Sequence, residues 1–420
     1  MLLIYLSNIT PRSKYIFDLI FEQHLGLTYR VTQNSEEFAA HFEEKINYSE
    51  KRFSDEFFIK PSGFLKDDSL RIFTPAVTIV DEMKVLFPCK QSDTGFDIFS
   101  AVFYMTSRYE EYLPSTPDAW GRFSETESIA FKNDFLQIPV VEYWVSYLKN
   151  ILQKKYNNLQ FSTPVFNVLH TYDIDVAYKY KGRGLLRGTG SFFKNLLQLN
   201  FKELKERSKT LLGLSKDPWD TYDQLKAVAD EKKLKTIFFF LVGKNSAYDR
   251  NLSASNFQLK ALVKKNYTFS EIGIHPSFHS SKLPEKFAEE KNILEEISNQ
   301  TILKSRQHFL KFDLPDTYLQ LIRAGITEDY SMGFATSSGF RAGTCKPFYF
   351  YDLKNEKTTT LKIFPVTYME GTFFKSHTPE EALKKIEGLA NEVKKVNGTF
   401  ISIWHNHTIS EDYSEWKKVH

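Results

Sequence analysis

Two carboxylates lie one residue apart at the end of an apolar segment. The segment that begins at Asn167 ends in Asp173-Ile174-Asp175. Because side chains alternate along a β-strand, both carboxylates would point to the same side, at the C-terminal strand end where α/β proteins gather their catalytic groups. Two acids this close need a cation or a proton between them.

Two imidazoles occur at a spacing that suits a metal site. His275 follows a second strand-like segment that starts at Glu271, and His279 comes four residues later, after Pro276. If the chain turns helically after the proline, the two rings converge. One carboxylate and two imidazoles leave room for water, as in the site of a catalytic divalent metal. Either motif alone is usually a solvated strand end or a surface pair, so the prediction depends on their occurring together.

Four short motifs, in chain order, resemble those of the polysaccharide deacetylases, the NodB-homology or carbohydrate esterase family four. They are Thr171-Tyr172-Asp173-Ile174-Asp175, His275-x-x-x-His279, Arg306-Gln307-His308-Phe309 and Ile403-Trp404-His405. The resemblance runs from about residue 161 to the C-terminus. It implies that Asp173 is the general base, oriented by Arg306, and that His405 is the general acid. The implied metal ligands are Asp175, His275 and His279.

Two motifs depart from the family pattern. The usual Thr-Phe-Asp-Asp-Gly is here Thr-Tyr-Asp-Ile-Asp, and Arg-x-Pro-Tyr is here Arg-Gln-His-Phe. His308 therefore stands where the family has proline, and it is either a substrate contact or a hydrogen-bonded structural histidine. The other candidates for substrate binding are Arg341, Trp404 and His407. His407 is also the alternative general acid, because strand alternation would place it on the same face as His405.

The resemblance implies a metal-dependent hydrolase that removes N-acetyl groups from a sugar of a polysaccharide or its precursor and releases acetate. Zinc is the first choice of metal, although cobalt, manganese and nickel also suit this ligand set. One alternative is a glycan-binding module without turnover, which the presence of Asp173 and His405 disfavours. The other is a hydrolase of a small non-sugar amide.

The elements that must position these residues alternate between strand and helix, which predicts a parallel sheet. Together with the resemblance, their number suggests a distorted (β/α)7 barrel of the NodB-homology type over residues 161–420. Residues 1–160 predict a smaller α/β domain that resembles an uncharacterised domain of some bacterial relatives. A chain of 420 residues exceeds the usual size of one core, so two domains are expected.

Composition narrows the partners. A net charge of +3 gives no reason to expect nucleic acid, and Cys89 and Cys345, the only cysteines, form no disulfide framework or cysteine zinc site. The short apolar start at Met1 lacks a basic lead-in, which predicts a buried strand and a cytoplasmic protein.

One segment, residues 179–216, is rich in lysine and arginine with interleaved apolar residues. It suggests either a peripheral contact with an anionic membrane, where the substrate would be a lipid-linked glycan precursor, or a helix packed over the barrel with its basic side in water.

Overall fold

Two sheets of mainly parallel strands organise the part of the chain that the computed structural model describes, which is residues 1–183, 201–374 and 376–420. The first sheet lies near the N-terminus and has the order β2-β1-β3-β4, with all neighbours parallel. Its strands are β1 (Leu2–Leu6), β2 (Tyr29–Thr32), β3 (Lys45–Tyr48) and β4 (Phe57–Ile59). A separate antiparallel pair consists of β5 (Val77–Val80) and β6 (Met83–Leu86).

The second sheet carries the residues of interest. Among the described residues it has nine strands in the order β12-β13-β11-β10-β9-β8-β7-β15-β14, and only the β12–β13 pair is antiparallel. The strands are β7 (Asn167–Ile174), β8 (Lys235–Phe240), β9 (Glu271–Ile274), β10 (Lys304–Ser305), β11 (Glu328–Asp329), β12 (Phe348–Asp352), β13 (Lys357–Ile363), β14 (Tyr368–Met369) and β15 (Thr399–His405).

Helices connect the strands as the sequence pattern predicts. The α-helices of the described residues are α1 (Pro11–Phe17), α2 (Ser35–Ala40), α3 (Ile98–Thr106), α4 (Ile129–Lys132), α5 (Val140–Lys155), α6 (Phe201–Leu211), α7 (Tyr222–Lys232), α8 (Phe257–Tyr267), α9 (Pro284–Ser298), α10 (Asp316–Arg323) and α11 (Pro379–Lys395). Helix α11 begins with a capping box in which Thr378 and Glu381 bond each other's backbone N–H groups. Helix α1 continues as a π-helix, Asp18–His24.

Strand alternation separates an inner face of the large sheet from an outer one. Phe239 and Ile403 belong to a small inner cluster below the strand ends, whereas Phe238 and Trp404 join the main core. The α/β class is thus confirmed. Hydrogen bonds between the described strands do not close the sheet, because β12 and β14 stand at the two ends of the strand order. The closed seven-stranded barrel therefore stays a prediction.

The two sheets share one hydrophobic core. Tyr15 of α1 and Phe103 of α3 both pack their rings against Tyr351 of β12, with centroids 5.0 and 5.1 Å apart. Arg12, which is fully buried, donates hydrogen bonds to Glu356, in the turn after β12, at 2.5 and 2.9 Å. A buried ion pair is destabilised strongly when either partner is removed, so this contact fixes α1 against the β12–β13 hairpin.

The basic segment is described only in part, because residues 184–200 lie outside the described residues. Helix α6 turns Leu204, Arg207 and Thr210 toward the protein. No helix of the described ranges has both the length and the apolar character needed to cross a bilayer.

Candidate metal and catalytic centre

Asp173 is held by an arginine at the C-terminal end of β7. Arg306 Nη1, just after β10, donates to Asp173 Oδ1 at 3.0 Å and to Thr171 Oγ1 at 2.6 Å. The guanidinium lies over the ring of Phe239, 4.5 Å from its centroid, and Arg306 is completely buried. Gly273 makes room for that ring, since a Cβ at this position would approach Phe239 to 2.5 Å. Arg306 therefore fixes one carboxylate oxygen of Asp173 and leaves the other directed toward His275, 3.9 Å away.

Asp175 and His275 face each other with complementary atoms. His275 Nδ1 lies 2.7 Å from the carbonyl oxygen of Arg306, which can only accept, so this nitrogen carries the hydrogen. In a neutral ring, Nε2 then has a lone pair, and it lies 3.2 Å from Asp175 Oδ1. That oxygen is buried and accepts no hydrogen bond from any described residue. A lone pair facing a carboxylate oxygen is a favourable arrangement only with a cation or a proton between them.

His308 approaches the same carboxylate from β10. Its Nε2 lies 3.6 Å from Asp175 Oδ2, and its Nδ1 lies 3.0 Å from Oδ1 of the buried Asp249, in the loop after β8. Asp249 is itself fixed by the N–H of Phe278 at 2.9 Å and the hydroxyl of Ser246 at 2.6 Å. Burial lowers the pKa of His308, but Asp175 and Asp249 outweigh burial and raise it to about 9.

Asp175, His275 and His308 form a group that fits a metal ion. One ligand atom from each lies within 4.8 Å of the others. A tetrahedral site with bonds of about 2.1 Å separates its ligand atoms by about 3.4 Å, close to the 3.2 and 3.6 Å found here. The unpartnered Oδ1 of Asp175 and the oriented imidazoles are what a divalent cation requires of its ligands.

His405, the last residue of β15, approaches Asp175 from the other side. Its Nε2 lies 3.5 Å from Asp175 Oδ2, and its Nδ1 lies 2.6 Å from Glu370 Oε1. Glu370 follows β14 and is buried, and its Oε1 also accepts from the backbone N–H of His405 at 2.8 Å and from the hydroxyl of Thr408 at 3.0 Å. Burial lowers the pKa of His405, but Glu370 and Asp175 raise it to about 10.

His279, the second imidazole of the predicted ligand set, lies outside this group. After β9 the chain stays extended through Ser277 and enters a 3-10 turn only at Ser280. The spacing of four residues therefore does not bring His279 back beside His275. Its side chain is exposed and packs against Tyr248 and Phe278. The structure brings His308 to the position where the sequence predicted His279.

Two residues near His405 are placed differently from the expectation of a shared face. Strand β15 ends at His405, and Asn406–Ile409 forms a 3-10 turn, so alternation does not extend to His407. His407 stacks on Trp219 with a centroid distance of 5.1 Å, and burial lowers its pKa to about 4. Trp404 is fully buried on the outer face, 3.3 Å from the hydroxyl of Tyr368 through Nε1, and does not face the site.

Arg341 is a structural contact between the N-terminal and C-terminal regions. Its Nε and Nη2 donate to the two carboxylate oxygens of Glu111 at 2.9 and 2.6 Å, and Nη1 donates to the carbonyl oxygen of Gly333 at 3.0 Å. Phe312 covers the guanidinium at 4.3 Å, and the residue is 2% exposed. The predicted substrate contact would need an accessible guanidinium, so this arrangement argues against it.

Sequence reasoning missed Asp249 and Glu370. Both follow strands of the large sheet, so their position at a strand end was a signal that could have found them. The residues of the centre follow or end six neighbouring strands, β10-β9-β8-β7-β15-β14.

The comparisons with known proteins divide the chain in the same way. Residues 2–157 match a family model described as "Family of unknown function (DUF7033)". No curated protein sequence matches the chain. Three solved structures are similar to it. For a "probable polysaccharide deacetylase" from Pseudomonas aeruginosa PAO1, the identity is 10% and the TM-score 0.37, over 61% of this chain and 81% of that one.

For the polysaccharide deacetylase Bc1974 from Bacillus cereus, the identity is 9% and the TM-score 0.27, over 61% of this chain and 85% of that one. For IcaB from Ammonifex degensii, the identity is 16% and the TM-score 0.23, over 41% and 86%. The N-terminal region thus matches a family without known function, and the solved structures found are those of polysaccharide deacetylases, which the four motifs also resemble.

Proposed function

We propose that the protein is a metal-dependent N-deacetylase that hydrolyses the acetamide of an N-acetylated sugar in a glycan or glycan precursor. The observation that carries the proposal is the convergence on Asp175 of two oriented imidazoles, an arginine-bound carboxylate and a third imidazole paired with a buried glutamate. Asp175, His275 and His308 are the proposed ligands. Zinc is the first choice, and cobalt, manganese or nickel would suit the same donors.

A divalent cation at this position would polarise the amide carbonyl and acidify a water molecule. The residues around it supply the proton transfers. Asp173, ionised and held by Arg306, accepts a proton from the attacking water through its second oxygen. His405 donates the proton at Nε2 to the departing nitrogen, while Glu370 fixes the ring through Nδ1. The C–N bond breaks, and the products are acetate and a free amino sugar.

Acetate release and metal content test this assignment together. The purified protein should release acetate from N-acetylglucosamine oligomers, lose this activity with a chelator and regain it with zinc. Asp173→Asn should retain the metal and lose about 10²–10⁴-fold in kcat, because the amide cannot accept the proton. The exposed Asp134→Asn is the matched control and should behave as wild type.

Two outcomes would contradict the proposal. If the wild type cleaves small non-sugar amides and none of the N-acetylated sugars, the substrate class is wrong. If Asp173→Asn loses its metal while Asp175→Asn keeps it, the two carboxylates have exchanged roles.

Contact with an anionic membrane is the proposed way in which a lipid-linked glycan reaches the site. Helix α6 and the residues after it expose apolar side chains, with Phe201 63%, Leu212 73% and Leu214 73% accessible. The exposed Lys202, Lys205 and Lys209 lie on the same helix. Each basic residue near anionic lipid contributes about 1 kcal/mol of attraction, which salt screens.

Vesicle sedimentation tests this contact. Binding to phosphatidylserine vesicles should be salt-sensitive and should fall after simultaneous Lys202→Glu, Lys205→Glu and Lys209→Glu substitution. The same reversal at three exposed lysines of α11, Lys384, Lys385 and Lys394, serves as the control. Equal binding by both triple variants would mean that α6 does not face the membrane.

A further inference from the structure

A loop of the N-terminal region reaches the strand ends that carry the proposed metal ligands. The loop, residues 114–124, is folded on Asp118, which accepts hydrogen bonds from the N–H groups of Trp120 at 2.9 Å and Arg122 at 3.0 Å. Asp118 also accepts from Arg122 Nε at 2.7 Å. The loop therefore presents Trp120 and Arg122 in a fixed geometry.

Two hydrogen bonds fasten this loop to the segment after β10. Arg122 Nη1 donates to the carbonyl oxygen of Phe309 at 2.7 Å, and Lys311 Nζ donates to the carbonyl oxygen of Trp120 at 2.9 Å. Phe309 has φ +62°, a left-handed backbone that costs a non-glycine residue about 1–2 kcal/mol. The N-terminal region therefore helps to hold the strained residue that directly follows His308.

Four aromatic side chains meet at this contact, namely Trp120, Tyr248, Phe278 and Phe309, and we call them the aromatic cluster. Trp120 lies 5.0 Å from Phe309 and 6.0 Å from Tyr248 between ring centroids, and Tyr248 stacks on Phe278 at 4.2 Å. Trp120 and Tyr248 are each 40% exposed, whereas Phe278 is buried. The cluster thus has a packed base and two accessible rings.

The aromatic cluster is continuous with the proposed metal centre. The ring of Phe309 lies 4.5 Å from that of His308, and the N–H of Phe278 bonds the Asp249 oxygen that also holds His308. Any chain that presents an acetamide to Asp175 and extends toward β8 and β10 would meet Trp120 and Tyr248.

We propose that Trp120 and Tyr248 form a glycan subsite that binds a pyranose ring adjacent to the sugar being deacetylated. This inference rests on the proposed function. Aromatic rings offer large apolar faces at low conformational cost, and the C–H face of a pyranose is the complementary surface. The subsite gives the N-terminal region a role in recognising oligomers over single sugars.

Binding to the full-length, zinc-loaded protein tests the subsite without turnover. The probes are β-1,4- and β-1,6-linked tetramers of N-acetylglucosamine, and the monosaccharide, measured by calorimetry with the Asp173→Asn protein. Adding Trp120→Ala should weaken binding of at least one tetramer about tenfold and leave the monosaccharide unchanged. Trp120→Phe should keep most of the affinity, and Tyr248→Leu should reproduce the loss. Phe257→Ala on α8, at an 81% exposed ring, is the matched control.

Kinetics in the otherwise wild-type protein gives a second measurement. Trp120→Ala should raise KM for the tetramer with little change in kcat. If Trp120→Ala and Tyr248→Leu bind both tetramers as tightly as their parent, or if the parent binds neither, the subsite is refuted. Acetate release with an unchanged KM would refute the subsite and leave the deacetylase standing. Tetramer binding that depends on Trp120, without any acetate release, would leave the subsite and refute the deacetylase.

Discussion

His308 and His405 approach Asp175 from opposite sides with nearly the same geometry. Their Nε2 atoms lie 3.6 and 3.5 Å from the same oxygen, Asp175 Oδ2. Each Nδ1 bonds a buried carboxylate, Asp249 for His308 and Glu370 for His405. The difference is their relation to His275. His308 joins His275 and Asp175 in the group of candidate ligands, with its ring 4.9 Å from that of His275, and His405 does not.

This difference teaches that the carboxylate behind an imidazole does not determine its role. A carboxylate at Nδ1 orients a metal ligand and a proton donor equally well. The role follows from what else faces Nε2. The predictions below test whether the two histidines are as different as their neighbours imply.

The largest effect is expected for His308. His308→Ala should abolish metal binding at stoichiometric zinc and lower kcat/KM by about 10³-fold or more, because it removes a ligand. Elemental analysis and acetate release measure the two losses. The exposed His279→Ala is the control and should retain metal and activity. A protein that keeps its metal without His308 and loses it without His279 would restore the ligand set predicted from sequence.

His405→Ala should lose about 10²–10⁴-fold in kcat and keep its metal, because a proton donor is lost while the ligands remain. The measurement is metal content on the same preparation that is used for the rate assay. Loss of metal in His405→Ala but not in His308→Ala would exchange the roles of the two histidines.

The two supporting carboxylates should separate in a crossed experiment. Asp249→Asn should weaken zinc affinity about 10–100-fold, as is usual when the partner of a ligand histidine is changed. Glu370→Gln should leave zinc affinity unchanged and lower kcat. Competition with a chromogenic chelator gives the affinities. Equal effects of both variants on zinc affinity would mean that His405 also binds the metal.

The smallest effect is expected for His407. His407→Ala should lower kcat by less than tenfold, because its ring lies beyond the strand end and stacks on Trp219. A larger loss in His407→Ala than in His405→Ala would move the general acid to His407.

Much of the fold could be predicted because local patterns were strong. The apolar runs of β7 and β15 identified both strands, and Pro284 with the pattern that follows placed α9 at its observed bounds. Strand β3 was missed because its four residues lie in a polar stretch, and its Asn47 is buried through a hydrogen bond to Glu56. A tertiary contact of this kind leaves no periodic signal.

The site was predictable as far as strand ends carry it. Asp173, Asp175 and His275 follow from alternation and from the ends of two strands. The choice between His279 and His308 depended on how the chain leaves β9, and helical spacing gave the less suitable partner. Strand β10 has only two residues, so its end gave little reason to select His308 as a ligand.

The buried pair of Arg12 and Glu356 has a consequence for how this chain could be divided. Sequence similarity separates residues 2–157 from the rest, yet this ion pair and the rings around Tyr351 join α1 and α3 to the β12–β13 hairpin. Severing the chain between α5 and β7 would leave a desolvated charge on each fragment, at a cost of about 3–5 kcal/mol for the pair. A unit of sequence inheritance here is therefore not a unit of cooperative unfolding, and the two halves would exchange between proteins only as a matched set.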